Sequence, residues 1–353
     1  MPNHCNKKVL IVGPLPPPYG GVSVHISRFI NLLKTNFSFD FIDESPVRKK
    51  DYFNLRSLNF TRYLKKIRST ELFYIHSGNN LLRIINLVFG KIFGKKIILV
   101  LHGFTSNPPK FIFYINGILY RMADIIVVVN RDIKERLFLP ETKCVLKEAF
   151  IPPNQEEEPE LPEKISKLIL ESRSKGRVII SANAFRLERY NDEDLYGLDM
   201  CIDVAKRLVN KGISFIFIFV VSTIDQNPEG FYKNEALINQ NNLKDHFYLT
   251  SQKLSFVKLM QQSDIIVRPT NTDGDSLTIR EGLFLNKKVL ASDVVKRPEG
   301  VILFKNRNLN DFEEKLEKLI TEKDLDKEFF SMENQSQLIQ EFKRFYIELL
   351  EKA

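Results

Sequence analysis

From Ile265 to Leu283 the chain reads IIVRPTNTDGDSLTIREGL, and this stretch holds most of the groups suited to a phosphorylated ligand. An apolar run ends at Pro269, a polar loop carries Asp273, and the pattern predicts a helix from about Ser276 that includes Glu281. The amides of Ser276, Leu277 and Thr278 at that helix start have no partner inside the helix and favour a negative group. A carboxylate on either side of such a phosphate can accept bonds from hydroxyls, a spacing that suits sugar, diphosphate and ribose in one ligand. Asp273-Gly-Asp275 also fits a D-x-D pair that holds Mg²⁺ or Mn²⁺ through oxygen. Glu281 downstream and the two-domain periodicity below argue against that alternative.

A second segment, GPLPPPYGG from Gly13 to Gly21, leaves an apolar run and opens a helix. Prolines stiffen such a loop, and glycines let backbone amides approach a ligand closely. It is neither G-x-G-x-x-G nor a P-loop, because no G-K-[ST] follows; a plain strand-to-helix turn accounts for it equally well. Of the five histidines, His102 ends an apolar run, where packing alone could account for it. His4, His25 and His246 have no ligand-like spacing, so no metal site is expected. Cys5, Cys144 and Cys201 stand far apart, which fits lone thiols in a reducing compartment rather than a zinc or redox pair.

The elements that must position these residues come from alternating short apolar runs and helical patterns. Strands are expected at Lys8–Val12, Leu72–Ile75, Ile97–Leu101 and Ile125–Val129, with helices at Val22–Lys34, Leu81–Phe93 and Lys110–Met122. The runs are continuous rather than alternating, as in parallel strands covered on both faces. The acidic, proline-rich FIPPNQEEEPELP from Phe150 to Pro162 reads as a connector. Beyond it strands are expected at Val178–Ser181, Phe215–Val221, Phe247–Thr250, Ile265–Val267, Val289–Ala291 and Val301–Leu303. Helices are expected at Leu198–Lys211, Ser255–Gln262 and Thr278–Leu285. The fold class is therefore α/β: two doubly wound, Rossmann-like domains facing across a cleft. Residues 1–155 form the first and 156–337 the second, followed by an amphipathic terminal helix, about 338–353, which folds of this kind usually allow to cross back to the first.

With these residues in view, the chain resembles the retaining GT-B glycosyltransferases of family 4, the glycosyl transferases of group 1. The resemblance rests on Gly20-Gly21, on the acidic pair Asp273 and Glu281 with seven residues between them, and on Leu283–Asp293, ending in Val-Leu-Ala-Ser-Asp. It implies that Glu281 holds the ribose hydroxyls and that Asp273 lies beside the transferred sugar. It further implies that Gly20, Gly21 and the amides of Ser276, Leu277 and Thr278 serve the diphosphate. Phe185-Arg186-Leu187 resembles the family's G-R-L, which makes Arg186 the diphosphate arginine. Tyr196-Gly197 stands where the family has Lys-Gly, so Arg189, Arg268 and Arg280 become candidate substitute cations. His102, in Leu101-His-Gly-Phe, matches the family's histidine near the reacting centre. No cofactor or metal is implied beyond a nucleotide-diphosphate sugar as donor.

Charge divides at the connector. Residues 1–150 carry 23 Lys and Arg against 10 Asp and Glu, a net of +13, whereas the remainder is −5. The basic half calls for an anionic partner. Two cation-flanked apolar segments, from Leu81 and from Lys110, suit an interfacial position on an anionic membrane. No nucleic-acid module accompanies the basic stretch Arg48–Arg68, no signal peptide opens the chain, and no run is long enough to span a bilayer. The expectation is a cytoplasmic enzyme, peripheral on the inner membrane face, that passes sugar to a glycan or lipid-linked acceptor of capsule or O-antigen type. A GT-B sugar-nucleotide epimerase and a non-catalytic subunit of a glycan assembly complex are the alternatives.

Overall fold

The computed structural model describes residues 7–17, 20–103, 109–322 and 332–353. They fall into two compact units, one made of the chain up to Ile151 together with Gln337–Ala353, the other of Pro152–Ser336.

The first unit runs β1 (Lys8–Gly13), α1 (Gly21–Leu33), β2 (Ser38–Asp43), β3 (Phe53–Asn54), α2 (Phe60–Arg68), β4 (Leu72–Ile75), α3 (Asn80–Ile92) and β5 (Lys96–Leu101). It continues through α4 (Lys110–Tyr120), β6 (Ile125–Val128), α5 (Arg131–Arg136) and β7 (Cys144–Leu146). All seven strands are parallel, in the order β3-β2-β1-β4-β5-β6-β7. β4 is buried along its whole length and β1 over all but its first residue, which explains their continuous apolar sequences. The second unit contains α6 (Glu163–Ser174), β8 (Val178–Ala184), the hairpin β9 (Arg189–Tyr190) and β10 (Glu193–Asp194), α7 (Leu198–Asn210), β11 (Phe215–Val221) and α8 (Pro228–Gln240). It continues with β12 (Phe247–Thr250), α9 (Phe256–Gln262), β13 (Ile265–Arg268), α10 (Leu277–Phe284), β14 (Lys288–Ser292), β15 (Ile302–Phe304) and α11 (Leu309–Thr321). Its main sheet is also parallel, ordered β12-β11-β8-β13-β14-β15.

Period-two geometry shows most plainly in β11. Phe215, Phe217, Phe219 and Val221 enter one core layer, and Ile216, Ile218 and Val220 enter the other. Each such fully buried side chain contributes about 1.5–3 kcal/mol through the hydrophobic effect. The helices α2, α3, α5, α8 and α11 start on Asn59, Asn79, Asn130, Asn227 and Asn308, whose side chains each accept from a backbone amide three residues on. The last helix, α12 (Met332–Lys352), begins in the second unit and ends in the first. There Tyr346 packs edge-on against Phe29 at 5.2 Å between ring centroids, and Lys147 Nζ lies 3.9 Å above the Phe342 ring.

In each unit the strand order reverses beside the first strand. The reversal falls between β1 and β4 in the first unit and between β8 and β13 in the second. Chain connections leave toward opposite sides there, so a crevice opens outside the carboxyl ends of those strands, where open α/β sheets take their ligands.

Candidate functional site

At the β8/β13 crevice the structure assembles a cationic site around Asp273. Its carboxylate accepts from Arg268 Nε and Nη2, both at 3.2 Å, from Arg297 Nη1 at 2.8 Å, from Thr270 Oγ1 at 3.2 Å and from the Gly274 amide at 3.0 Å. The Arg297 side chain is only 2% exposed and is anchored by donating to the Ser292 carbonyl. Burial opposes ionisation of Asp273, but the charges and hydrogen bonds of Arg268 and Arg297 outweigh it and hold the carboxyl below its ordinary range. The structure thus gives Asp273 two guanidinium partners, of which only Arg268 stands in its sequence neighbourhood. Arg297 lies 24 residues downstream, in a loop after β14, where neither periodicity nor motif singles it out.

Of the other residues expected at the donor, Arg186, Ser276, Leu277, Thr278 and Glu281 follow β8 or β13 in this unit, whereas Gly20 and Gly21 lie in the first. Ser276 caps α10, yet its own hydroxyl is buried and has no hydrogen-bond partner among the described residues. Leu277 is the first residue of α10, and Thr278 donates from Oγ1 to Asn183 Oδ1 on β8 at 3.0 Å. Glu281 is buried in α10. Arg186 follows β8 and donates to both Glu188 oxygens and to Gln226 Oε1, with a third of its side chain exposed.

The three candidate substitute cations take different places. Arg268 lies 5.1 Å from the Tyr196 ring centroid, so a guanidinium occupies the neighbourhood of the position where a lysine was expected. Arg280 pairs with Asp275 at 2.6 Å, and Arg189 sits on the exposed hairpin, bonded to the Asp192 carbonyl. Gly197 has φ +67°, and a Cβ there would stand 2.3 Å from the Pro269 carbonyl oxygen. Only glycine fits where the turn into α7 passes the start of the Asp273 loop. Asp194 accepts from the Tyr196 and Gly197 amides; burial, helped by Asp199, pushes its pKa up to about 6 against those bonds.

The β1/β4 crevice of the first unit is different. His76 follows β4, His102 follows β5 and His25 lies on α1; His76 Nδ1 stands 2.9 Å from His102 Nε2, and the His25 and His102 ring centroids are 4.9 Å apart. One potential ligand nitrogen from each of the three lies within 4.8 Å of the others. The spacing in sequence suggests that His25 is incidental and that no histidine cluster exists; the structure corrects both points. Parallel crossovers bring residues 25, 76 and 102 to one end of one sheet, and linear spacing cannot register that. His4 lies outside the described residues, and His246 packs against Phe215 in the other unit. Gly13, at the end of β1, admits His76: a Cβ on Gly13 would stand 2.9 Å from the His76 Cβ. Around Gly20 and Gly21 nothing described lies within 4 Å of an added Cβ, so the backbone at the start of α1 is open to approach.

Burial drives the His25 pKa down to about 4 and holds those of His76 and His102 well below the usual imidazole range, so all three rings are neutral near pH 7. Beside them is a polar network that sequence reasoning missed. Glu44, just after β2, accepts from Ser77 Oγ at 2.7 Å and Asn86 Nδ2 at 3.1 Å, while Arg83 donates twice to the Ser77 carbonyl. Burial pushes the Glu44 pKa up to about 7 despite those bonds.

No protein-family model matches the chain, and no curated protein matches it by sequence. Solved structures do match over almost its full length. A glycosyltransferase of Rickettsia africae has a TM-score of 0.71 at 17% identity, over 99% of this chain and 100% of that one. HepE of Anabaena, solved with UDP and glucose, has a TM-score of 0.68 at 13% identity, over 99% and 100%. Sucrose-phosphate synthase of Thermosynechococcus elongatus has a TM-score of 0.66 at 11% identity, again over 99% and 100%. At these identities the likeness establishes the fold. It is the GT-B fold of glycosyltransferases: two α/β units, each on a parallel sheet.

Proposed function

We propose that the protein is a retaining, family-4-type glycosyltransferase. It moves a sugar from a nucleoside-diphosphate sugar to a glycan or lipid-linked acceptor in bacterial surface-polysaccharide synthesis of capsule or O-antigen type. The observation that carries this reading is the start of α10 at the β8/β13 crevice. An unpartnered, buried Ser276 hydroxyl stands there with the free amides of the first turn, three residues beyond a carboxylate flanked by Arg268 and Arg297. Such an end favours an anion through its amides and the helix dipole. A fold match in HepE solved with UDP-glucose supports a donor of that class.

In this reading the second unit binds the donor. The α10 amides, Ser276 and Arg186 take the diphosphate, Arg268 on Tyr196 supplies the second cation, and Glu281 takes the ribose. Asp273 acts through Arg268 and Arg297, fixing both beside the transferred sugar. The bond from the anomeric carbon to the diphosphate oxygen breaks, and the acceptor oxygen bonds to that carbon on the same face. The acceptor proton passes to the departing phosphate oxygen, so the products are glycoside and nucleoside diphosphate. Charge developing on the leaving group meets fixed donors, the arrangement that lowers such barriers most. The diphosphate needs no metal, because arginines and amides neutralise it. The first unit takes the acceptor, and His102 and Gly20-Gly21 keep the roles that the resemblance implies, at the reacting centre and the diphosphate.

Membrane docking belongs to the same reading. Phe111, Tyr114, Ile115 and Ile118 form an i, i+3, i+4, i+7 stripe on α4 and are 45–63% exposed, with Lys110 and Arg121 at the ends of the helix. By contrast, α3 buries Arg83, Asn86, Leu87 and Gly90 against its own unit. No described helix is long and apolar enough to cross a membrane. An anionic inner-membrane surface is the partner such a cation-flanked stripe fits.

The test is transfer of labelled sugar from a panel of nucleotide sugars to membrane extracts, using EDTA-treated protein with Mg²⁺ or Mn²⁺ added back. Transfer unchanged by either ion supports the reading. A rate that depends on either ion overturns the metal-free step, and transfer from no donor overturns the enzyme reading. Arg186→Ala and Glu281→Ala must each lose most activity; if both retain it, the donor site is elsewhere.

A further inference from the structure

The three histidines at the β1/β4 crevice have a use that sugar transfer does not require. We propose that His25, His76 and His102 form a binding site for a first-row divalent transition-metal ion, best suited to Zn²⁺. The inference does not rest on the glycosyltransferase reading.

Four observations carry it. First, the ligand nitrogens already converge, all within 4.8 Å of one another. Around a tetrahedral zinc with Zn–N near 2.05 Å such nitrogens stand about 3.4 Å apart, so rotamer adjustments of roughly an ångström complete the set. Second, His25 Nδ1 lies 2.6 Å from the Ala149 carbonyl oxygen. A carbonyl only accepts, so Nδ1 carries the proton and Nε2 presents its lone pair. That Nε2 is buried with no partner among the described residues. A ligating histidine is commonly held in this way, donating its other N–H to the backbone to fix ring and tautomer.

Third, the 2.9 Å contact between His76 Nδ1 and His102 Nε2 has room for one proton, while His76 Nε2 is a second buried nitrogen with no partner among the described residues. Buried polar atoms are almost always satisfied, and two orphans in one cluster call for an occupant. Neutral imidazoles are the form that ligates. Fourth, His25 and His76 are buried while His102 is partly exposed, and a zinc held by three protein ligands takes water or an oxygen ligand as its fourth. Imidazoles without carboxylates select borderline ions over Mg²⁺, Ca²⁺ or Mn²⁺, which prefer oxygen.

Full-length protein is stripped with EDTA, dialysed, and titrated with Zn²⁺ in a calorimeter and with Co²⁺ in an absorption cell. The expected result is one equivalent of Zn²⁺ and a visible Co²⁺ band of tetrahedral intensity. His25→Ala and His102→Gln each weaken Zn²⁺ binding by about tenfold or more, while His246→Gln leaves it unchanged. Circular dichroism of each variant establishes that it is folded. Should His76→Ala not fold, the other two variants carry the test, because His25 lies on α1 and His102 is only partly buried. No saturable Zn²⁺ binding by the parent chain would mean that water fills the crevice and would overturn the proposal. Binding unaffected by His25→Ala and His102→Gln would overturn it too.

Discussion

The two crevices lie at equivalent points of two similar sheets, yet their chemistry is opposite. Beside β8 and β13, Asp273 joins Arg268 and Arg297 in a network of charges that compensate one another. Beside β1 and β4, three imidazoles lose their charge to burial, and a glutamate sits next to them with its pKa raised to about 7. The difference runs against the bulk charge, since residues 1–150 carry a net +13 and the remainder −5. Local charge in a crevice is therefore set by what can be paired there. A buried ion persists only with partners, and without them the group neutralises instead.

The strongest way to break this contrast is Asp273→Ala, which leaves Arg268 and Arg297 buried without their counter-ion. It should cost about 3–5 kcal/mol in urea unfolding of the full chain. A variant as stable as the parent would mean that the arginines are held by something else. Next in size is Glu44→Gln. Because the folded pKa of Glu44 is raised from 4.5 to about 7, its contribution is fully present below pH 4.5 and is lost as pH rises to about 7. The parent should lose on the order of 3 kcal/mol over that window relative to Glu44→Gln. Parallel stability–pH curves for the two proteins would remove the neutral-crevice half of the comparison.

Arg186→Ala sharpens the other half. Its pair with Glu188 is substantially exposed, so unfolding should change by less than about 1 kcal/mol. UDP binding, followed as a thermal shift, should weaken about tenfold or more, the loss of one charge-assisted bond. Ser276→Ala should be smaller again: it removes a hydroxyl that bonds nothing, so stability holds and UDP affinity falls a few-fold. An unchanged UDP affinity would separate Ser276 from the anion site. The smallest effect on folding is expected from Phe111→Ser in α4, within about 0.5 kcal/mol, while sedimentation with anionic vesicles should drop several-fold. Equal binding to anionic vesicles by parent and variant would sink the membrane reading.

Much of the fold is legible in the sequence, because central parallel strands such as Leu72–Ile75 and Phe215–Val221 are buried on both faces and read as unbroken apolar runs. Where burial is partial the signal fades. β2, Ser-Phe-Asp-Phe-Ile-Asp, interleaves polar residues near the sheet edge and does not stand out as a strand. α8 was equally hidden, although Asn227-Pro228 at its start is a capping signal that marks it. α6 begins directly after the proline-rich connector, and its acidic surroundings mask the buried stripe of Ile165 and Ile169.

The donor crevice divides along the same line. Asp273, Ser276 and Glu281 lie on one loop and the helix that follows it, so their spacing reports their proximity. Arg297, Glu44 and the convergence of His25 on His76 and His102 depend on chain segments that meet only when the sheets assemble. By itself the sequence determined the two parallel α/β units, the helix start at Ser276 and the division of charge, all of which follow from local burial patterns and composition. Tertiary structure alone decided that Asp273 is held by two arginines and that three histidines meet at one end of a sheet. Parallel crossovers carry distant residues to the same strand ends, and burial there fixes which of them keep their charge.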